Sequence, residues 1–266
     1  MPSPNATGSA TRRGSCANAA ERAVGGRLHA FGPRIWTVEG PVVPFFLGFH
    51  YPTRMAVIRL SDGGLFVWSP VALSDDLTRE IGALGPVRYL VSPNLLHHVF
   101  LGAWTEAYPD ARLYAPPGLR RRRKDLHFDA DLGDSPDPGW AADVDQVAMR
   151  GSLAMTEVVF FHRASGTAIF ADLIQNLPRD WCRGWRGVVA RLDGITAPTP
   201  GAPREWRLSF VDRTAARAAL AHVLAWPIER VLIAHGEPAT EDGAAFVRRA
   251  FAWLSSRQQP GNACVC

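Results

Sequence analysis

Short apolar runs with alternating polar positions recur along the chain from about residue 34 and predict β-strands. The predicted strands span residues 35–38, 54–60, 65–68, 87–91, 112–115, 146–149, 157–161, 167–171 and 230–234. Between the second and third of them lies Asp62-Gly63-Gly64, which predicts a tight hairpin because glycine adopts positive φ without steric cost. The first strands are therefore expected to pair antiparallel.

Helical spacing of apolar residues separates several of these strands. Ser74 is a predicted N-cap, and the helix after it is expected to stop at Gly85-Pro86. Further helices are predicted over residues 96–107, 212–225 and 241–254, whereas residues 116–145 and 175–205 predict long irregular excursions. Strands that pair antiparallel at first and then alternate with helices favour two packed sheets with helices outside. A doubly wound nucleotide-binding fold is the competitor, but no strand runs into GxGxxG or GxxxxGK[ST].

Composition indicates one globular domain with two appendages. The 266 residues are 47% hydrophobic and 20% charged, which is typical of globular proteins. We expect a disordered or loosely attached arm over residues 1–26, a folded domain over 27–257 and a flexible tail over 258–266. Cys264 and Cys266 in that tail predict incidental thiols, with soft-metal binding or oxidation as the alternative.

Charge and hydropathy bear on partners and location. The net charge of +4 is small for this length, so a nucleic-acid partner is not expected. No apolar run approaches the roughly 18 residues of a membrane span, and no apolar stretch of signal-peptide type opens the chain. We therefore expect a cytoplasmic protein with a small-molecule substrate and no membrane partner; the sequence gives no oligomeric state.

Candidate chemistry collects where predicted strands end. His97-His98 follows the strand at 87–91, Asp172 follows that at 167–171, and His235 follows that at 230–234. Strand ends commonly present ligands and catalysts on a rigid scaffold. Imidazole and carboxylate together bind Zn²⁺ or non-haem iron and leave positions open. The competing interpretation of each histidine alone is a hydrogen-bonded structural residue.

A second hairpin is predicted with its turn at residues 164–165. Antiparallel pairing around that turn places His162 opposite Thr167 and Glu157 opposite Asp172. Glu157 is therefore expected beside the metal site as a further ligand or base, with His162 roughly 15 Å away.

The stretches Arg54–Leu60, Ser92–His98 and Ala234–Glu237 resemble the metallo-β-lactamase-like hydrolase superfamily, and more specifically a branch known only as a domain of unknown function. The resemblance covers about residues 35–254 and implies a four-layer αββα sandwich. The superfamily motif HxHxDH would fall on residues 93–98, so Pro93 and Leu95 replace both first-site histidines. The resemblance thus implies one ion of the second-site type, bound by His98, Asp172 and His235, with His97 replacing a carboxylate. An imidazole-rich set favours zinc or iron over Mg²⁺ or Ca²⁺.

These observations lead to three functional hypotheses. The first is a metal-dependent hydrolase that activates water against a small or anionic substrate, with Glu157 or Asp172 holding the proton. The second is a catalytically inactive scaffold of the same fold that binds a ligand or partner. The third is a mononuclear non-haem iron oxidoreductase.

Two surface features bear on the substrate. The basic run from Arg120 to Lys124 either steers an anionic substrate or is a solvated loop neutralised by the acids that follow it. Trp181 and Trp185 are the tryptophans expected to line a ligand pocket.

Overall fold

The computed structural model describes residues 26–255, so almost all of the predicted arm and the whole predicted tail, with Cys264 and Cys266, lie outside the described residues. Within this range there are eleven strands: β1 His29–Gly32, β2 Ile35–Pro44, β3 His50–Arg59, β4 Leu65–Trp68, β5 Val87–Val91, β6 Arg112–Ala115, β7 Ala130–Asp131, β8 Val144–Met149, β9 Glu157–His162, β10 Thr167–Asn176 and β11 Arg230–Gly236. The same range contains seven α-helices: α1 Asp75–Leu84, α2 Leu101–Ala107, α3 Leu119–Arg122, α4 Trp185–Asp193, α5 Arg204–Ser209, α6 Arg213–Ala225 and α7 Gly243–Ala250. Each of these helices is too short or too polar to cross a lipid bilayer.

The strands of residues 26–255 form two sheets. The first has seven strands in the order β1-β2-β3-β4-β5-β6-β7, antiparallel as far as β4 and parallel beyond it. The second has four strands in the order β11-β10-β9-β8, with only the β10–β11 pair parallel. The predicted hairpin at Asp62-Gly63-Gly64 is confirmed, because β3 and β4 pair antiparallel and Gly63 has a φ of 87°.

Strand alternation explains why the two sheets pack together. Successive side chains of a strand point to opposite faces, so Ala56 and Ile58 of β3 face the second sheet, while Met55 and Val57 face the helices. All four are fully buried. Between the sheets, the first sheet meets Val158, Phe160, Ile169 and Ala171 of the second in one apolar cluster.

Helices cover the outer face of each sheet. The helix α1 begins where the sequence predicts, since the Ser74 hydroxyl accepts the Leu77 backbone N–H, and it buries Leu77 and Ile81 against the first sheet. On the second sheet, α6 and α7 bury their apolar sides, including Val223 and Val247. The layers run helix, sheet, sheet, helix, and the predicted four-layer αββα fold is confirmed.

Several boundaries differ from those predicted. The helix expected over 96–107 begins only at Leu101, and the residues before it form turns. The strand expected to end at residue 171 continues to Asn176, but its pairing with β11 is interrupted between Phe170 and Gln175. Asp172 therefore lies in a break of the ladder rather than at a strand end. Both differences arise from side-chain hydrogen bonds around the site, which periodicity does not encode.

Candidate metal centre

Three side chains from distant parts of the chain meet at one edge of the two sheets. His97 Nε2 lies 3.2 Å from Asp172 Oδ2, and His235 Nε2 lies 3.3 Å from Asp172 Oδ1. One ligand atom from each side chain lies within 4.8 Å of the others. These residues come from the turn after β5, the break in β10 and the end of β11. The side chains of His97, Asp172 and His235, singled out in the sequence, thus converge, although Asp172 lies within β10 rather than at its end.

A backbone carbonyl fixes the ring of His235. Its Nδ1 lies 2.7 Å from the Pro52 carbonyl oxygen, which can only accept, so Nδ1 carries the proton and donates. The next residue, Gly236, has a φ of 103°, a conformation that favours glycine. The chain turns there because Arg54 reaches in and donates to the carbonyls of Ile233 and Gly236.

A serine holds the ring of His97. Ser69 Oγ lies 2.6 Å from His97 Nδ1, and Ser69 itself has a φ of 51°, in the left-handed region. A non-glycine residue in that region is strained and is usually held by its surroundings. Like His235, His97 therefore has Nδ1 engaged by the protein and turns Nε2 toward Asp172. Such contacts on the remote ring nitrogen are typical of metal-binding histidines.

The separation of His235 and Asp172 leaves room for a cation, either a proton or a metal ion, between them. Because Nδ1 of His235 donates to the Pro52 carbonyl, a ring that carries only that proton presents the lone pair of Nε2 to the carboxylate oxygen 3.3 Å away. Two acceptors that face each other repel unless a proton or a metal ion lies between them. A charge-assisted N–H···O bond spans about 2.7 to 2.9 Å, so the observed separation is long for a proton and fits two ligands of one ion.

The protonation states around the centre suit metal ligands. Burial lowers the pKa of His97 and so favours the neutral ring. Burial alone would raise the pKa of Asp172, but the adjacent rings of His235 and His97 outweigh that effect and hold the pKa well below its usual range. Metal ions bind neutral imidazole and ionised carboxylate. The donor set therefore fits one zinc or iron ion.

Glu157 lies beside Asp172, as expected, but its contacts are those of a positioning residue. Its carboxylate accepts the backbone N–H groups of Ala171, Asp172 and Leu173, at 2.8, 2.7 and 3.2 Å. Burial, followed by the charge of Asp172, raises the pKa of Glu157 to about 7, and the backbone donors oppose that rise. Glu157 is 1% exposed and does not line the cavity. The expected role as ligand or base is corrected: Glu157 fixes the break in β10 that presents Asp172.

Asn94 is a site residue that sequence reasoning missed. Its amide nitrogen donates to Glu157 Oε2 at 3.0 Å and to Asp172 Oδ2 at 2.7 Å, while its oxygen accepts the Leu96 N–H. Asn94 is fully buried and links both carboxylates to the turn that carries His97. The available signal was an asparagine just after a strand, where such side chains form turns with their own backbone.

His98 does not join the centre, and its expected role as a ligand is corrected. The Arg123 guanidinium donates to the His98 carbonyl at 2.7 Å and to His98 Nδ1 at 3.2 Å. Burial and then the charges of Arg122 and Arg123 lower the pKa of His98. The turn after β5 points consecutive side chains in different directions, so only His97 reaches Asp172.

The first metal site of the superfamily motif has no ligands here. Pro93 and Leu95 stand at its histidine positions, and the Pro93 carbonyl accepts the Val158 N–H of β9. Within residues 26–255, His97, Asp172 and His235 are the one group of three or more potential ligands that could hold an ion.

A cavity of about 240 Å³ opens over the centre. Its walls are mostly apolar, and its polar groups besides the centre include Tyr51, Gln175 and Arg122. Gln175 is 2% exposed, and its side-chain oxygen has no hydrogen-bond partner among the described residues. Trp206 lines this cavity, whereas the expected wall residues Trp181 and Trp185 do not.

Part of the basic run from Arg120 to Lys124 is neutralised by nearby acids, and another part faces the cavity. Arg120 pairs with Asp131 and Arg123 pairs with Asp125, which neutralises part of the run. Arg122 forms no ion pair within residues 26–255 and lines the cavity. One cation of the run is thus available to a ligand in the cavity.

Comparison with known proteins gives a family and a fold. The sequence profile of a family described as "Domain of unknown function (DUF4336)" matches residues 33–186. No curated protein matches the sequence.

Among solved structures, the Flv1 flavodiiron core of Synechocystis sp. PCC6803 is 12% identical with a TM-score of 0.61, over 89% of this chain and 62% of that one. This chain thus spans less than two thirds of that protein. The metallo-β-lactamase FIM-1 of Pseudomonas aeruginosa in its mono-zinc form is 12% identical with a TM-score of 0.57, over 85% and 94% of the chains. A metallo-β-lactamase of Hirschia baltica is 10% identical with a TM-score of 0.57, over 87% and 99%. At these identities the likeness establishes the fold.

Proposed function

Because this chain belongs to the DUF4336 family and has the metallo-β-lactamase fold, we propose that it is a hydrolase dependent on a single zinc or iron ion. The observation that supports this most is the facing pair of His235 Nε2 and Asp172 Oδ1, whose separation of 3.3 Å suits two ligands of one bridging ion. His97 completes a donor set of two imidazoles and one carboxylate. A set of this kind leaves coordination positions open for water and substrate.

The side chains at the centre have different roles in the proposed reaction. His97, His235 and Asp172 hold the ion, which when bound supplies Lewis acidity and lowers the pKa of water. Ser69 and the Pro52 carbonyl fix the two rings through Nδ1. Asp172 stays ionised and acts only as an acceptor, so it can hold a proton of the attacking water by hydrogen bonding.

The cavity suggests the substrate class. Its volume of about 240 Å³ and apolar walls suit a small molecule with an apolar body. Arg122 offers a positive charge for an anionic group, and the unpartnered oxygen of Gln175 offers an acceptor for an N–H or O–H donor. We therefore propose a small, mainly apolar ester or amide that carries an anionic group.

The test begins with elemental analysis of protein purified without added metal and after reconstitution with Zn²⁺ or Fe²⁺. We expect about one ion per chain, retained by His98→Ala and lost by His97→Ala. Hydrolysis of a panel of nitrophenyl esters and anilides, with and without a carboxylate, should require the same ion. No zinc or iron above background after reconstitution, or equal retention by both variants, contradicts the proposal.

A metal-free binding scaffold is the second candidate. It is favoured by the loss of both first-site histidines and by Asn94, which already supplies Asp172 with a hydrogen bond. Under this alternative, protonated His235 satisfies Asp172 and the cavity binds a ligand without chemistry. Elemental analysis separates the two candidates, and bound iron without any hydrolytic activity on the panel would favour the oxidoreductase hypothesis.

A further inference from the structure

Five exposed apolar side chains form what we call the apolar face: Phe45, Leu47, Trp185, Val188 and Leu192. They are between 47% and 61% exposed. Phe45 and Leu47 lie in the loop between β2 and β3, and the other three lie on α4. The two segments are in contact, because Arg186 of α4 donates to the Leu47 carbonyl at 3.0 Å and the rings of Phe49 and Trp185 lie 6.0 Å apart.

The helix α4 is unusual because its outer side is apolar. Trp185, Val188 and Leu192 follow one another at helical spacing and share that side, whereas Gly187 and Ala190 on the other side are buried. A surface helix normally directs charged and polar residues outward. An apolar outer side next to an apolar loop marks an interaction surface.

Positive charge surrounds the apolar face. Residues 178–207 contain six arginines and three acids, a net charge of +3 compared with +4 for the whole chain. Arg183 and Arg191 are exposed and form no ion pair within residues 26–255. Arg186 lies over the Trp185 ring, with its guanidinium carbon 4.9 Å from the ring centroid. The partner of this surface must therefore be both apolar and anionic.

We propose that the apolar face docks on an anionic phospholipid surface. Tryptophan with aliphatic residues on one side of a helix and arginines beside them is the composition of helices that lie in the interface of a membrane. Arginines near an anionic leaflet are attracted to its negative surface potential. No membrane partner is expected from the sequence because no apolar run is long enough to span a bilayer, but an interfacial site needs no such run.

Other occupants fit the surface less well. A second copy of the chain would bring the same arginines face to face, which opposes association. The undescribed ends of the chain hold few large apolar residues: Met1 and Val24 in residues 1–25, and Val265 in residues 256–266. These segments cannot supply an apolar area that matches the face.

The location of the face connects it to the cavity. Phe45 belongs to the apolar face and also lines the cavity. Docking would thus place the cavity mouth at the lipid surface, where apolar molecules concentrate. Docking itself does not depend on the proposed hydrolysis, so either proposal can fail while the other stands.

The test is sedimentation of the full chain with sucrose-loaded vesicles of phosphatidylcholine alone or with 30% phosphatidylglycerol. We expect binding to the anionic vesicles, weak binding to the neutral ones, and release at high salt. The double variant Trp185→Ser/Leu192→Ser should bind the anionic vesicles at least about tenfold more weakly. Both residues are exposed, so its thermal unfolding should match that of the wild type.

A matched pair of charge variants isolates the arginines. Arg183→Glu/Arg191→Glu should likewise weaken binding at least about tenfold. Arg248→Glu/Arg249→Glu on α7 changes the net charge equally and should bind within twofold of the wild type. The proposal is overturned by no binding of the wild type, by equal binding to neutral vesicles, or by equal loss in both charge variants. A dimer in analytical ultracentrifugation that Trp185→Ser/Leu192→Ser dissociates, without vesicle binding by the wild type, assigns the face to a second copy.

Discussion

Glu157 shows how a buried carboxylate can shape a site without touching a substrate. Three backbone N–H groups of β10 and the Asn94 amide all donate to its carboxylate. The carboxylate thus supplies acceptors for backbone N–H groups at the point where the pairing of β10 with its neighbour strand is interrupted. A buried donor left without an acceptor costs free energy. At this position a side chain that accepts several hydrogen bonds is required, which explains why an acid begins β9 although the next four residues are apolar.

Replacement of this acid tests that role. Glu157→Gln turns one oxygen into an N–H₂ group, which can only donate and so faces donors already present. We expect a loss of about 2 kcal/mol in the free energy of unfolding, measured by urea titration. Glu237→Gln, at an exposed position, should change it by less than about 0.5 kcal/mol. Equal stability of both variants and the wild type would show that the backbone does not need the carboxylate.

At the scale of elements, the hairpin of β9 and β10 is the best-predicted part of the site. The observed register pairs Thr167 with His162, as expected, and extends to Ile169 opposite Phe160. Beyond that point the ladder breaks around Asp172. His162 lies at the far end of the hairpin, fully buried, with Nδ1 bonded to Ser165 Oγ.

The hairpin predicts a pH dependence of stability. Burial lowers the pKa of His162 from 6.5 to about 4. Above pH 6.5 the His162 ring is neutral in both the folded and the unfolded chain. As the pH falls from 6.5 to about 4, the unfolded chain takes up a proton on this ring that the folded chain does not. His162 should therefore cost the fold about 3 kcal/mol across this window.

Chemical denaturation at pH 7, 5.5 and 4.5 measures this effect. His162→Phe keeps a buried ring without the titrating group, so its stability should fall less steeply with acid than that of the wild type. The difference between the two slopes isolates His162 from other titrating groups. If the unfolding free energies of the wild type and His162→Phe fall equally with acid, His162 is not held neutral by burial in the folded protein. Because His162 lies far from the centre, its replacement should leave metal retention unchanged in folded protein.

For the whole molecule, the contact between the two sheets keeps the centre assembled. His97 comes from the first sheet, and Asp172 and His235 from the second, so the three meet only while the sheets are packed. Phe66 and Phe160 face each other across that contact, with ring centroids 5.5 Å apart. Both are fully buried.

A double-mutant cycle measures that coupling. Phe66→Ala and Phe160→Ala should each cost about 3 to 5 kcal/mol through lost burial and the cavity left behind. Phe66→Leu and Phe160→Leu are milder replacements for the cycle, and their coupling energy should be about 0.5 to 1.5 kcal/mol. Unfolding should remain a single transition by fluorescence and circular dichroism. Two separate transitions would mean that the sheets fold as independent units.

Sequence by itself determined the layers and the chain positions of the centre. The alternation of side chains in β3 and β4 and the helical spacing of apolar residues in α1 are local properties of the chain. They could therefore be predicted without coordinates. His97, Asp172 and His235 could be identified as candidates because each follows a strand that the sequence predicts. Tertiary structure decided the orientation of the side chains. His97 rather than His98 turns inward, Glu157 accepts backbone N–H groups, and Asn94 and Ser69 hold Asp172 and His97 in place. These outcomes depend on hydrogen bonds between residues 14 to 78 positions apart, which no local pattern carries.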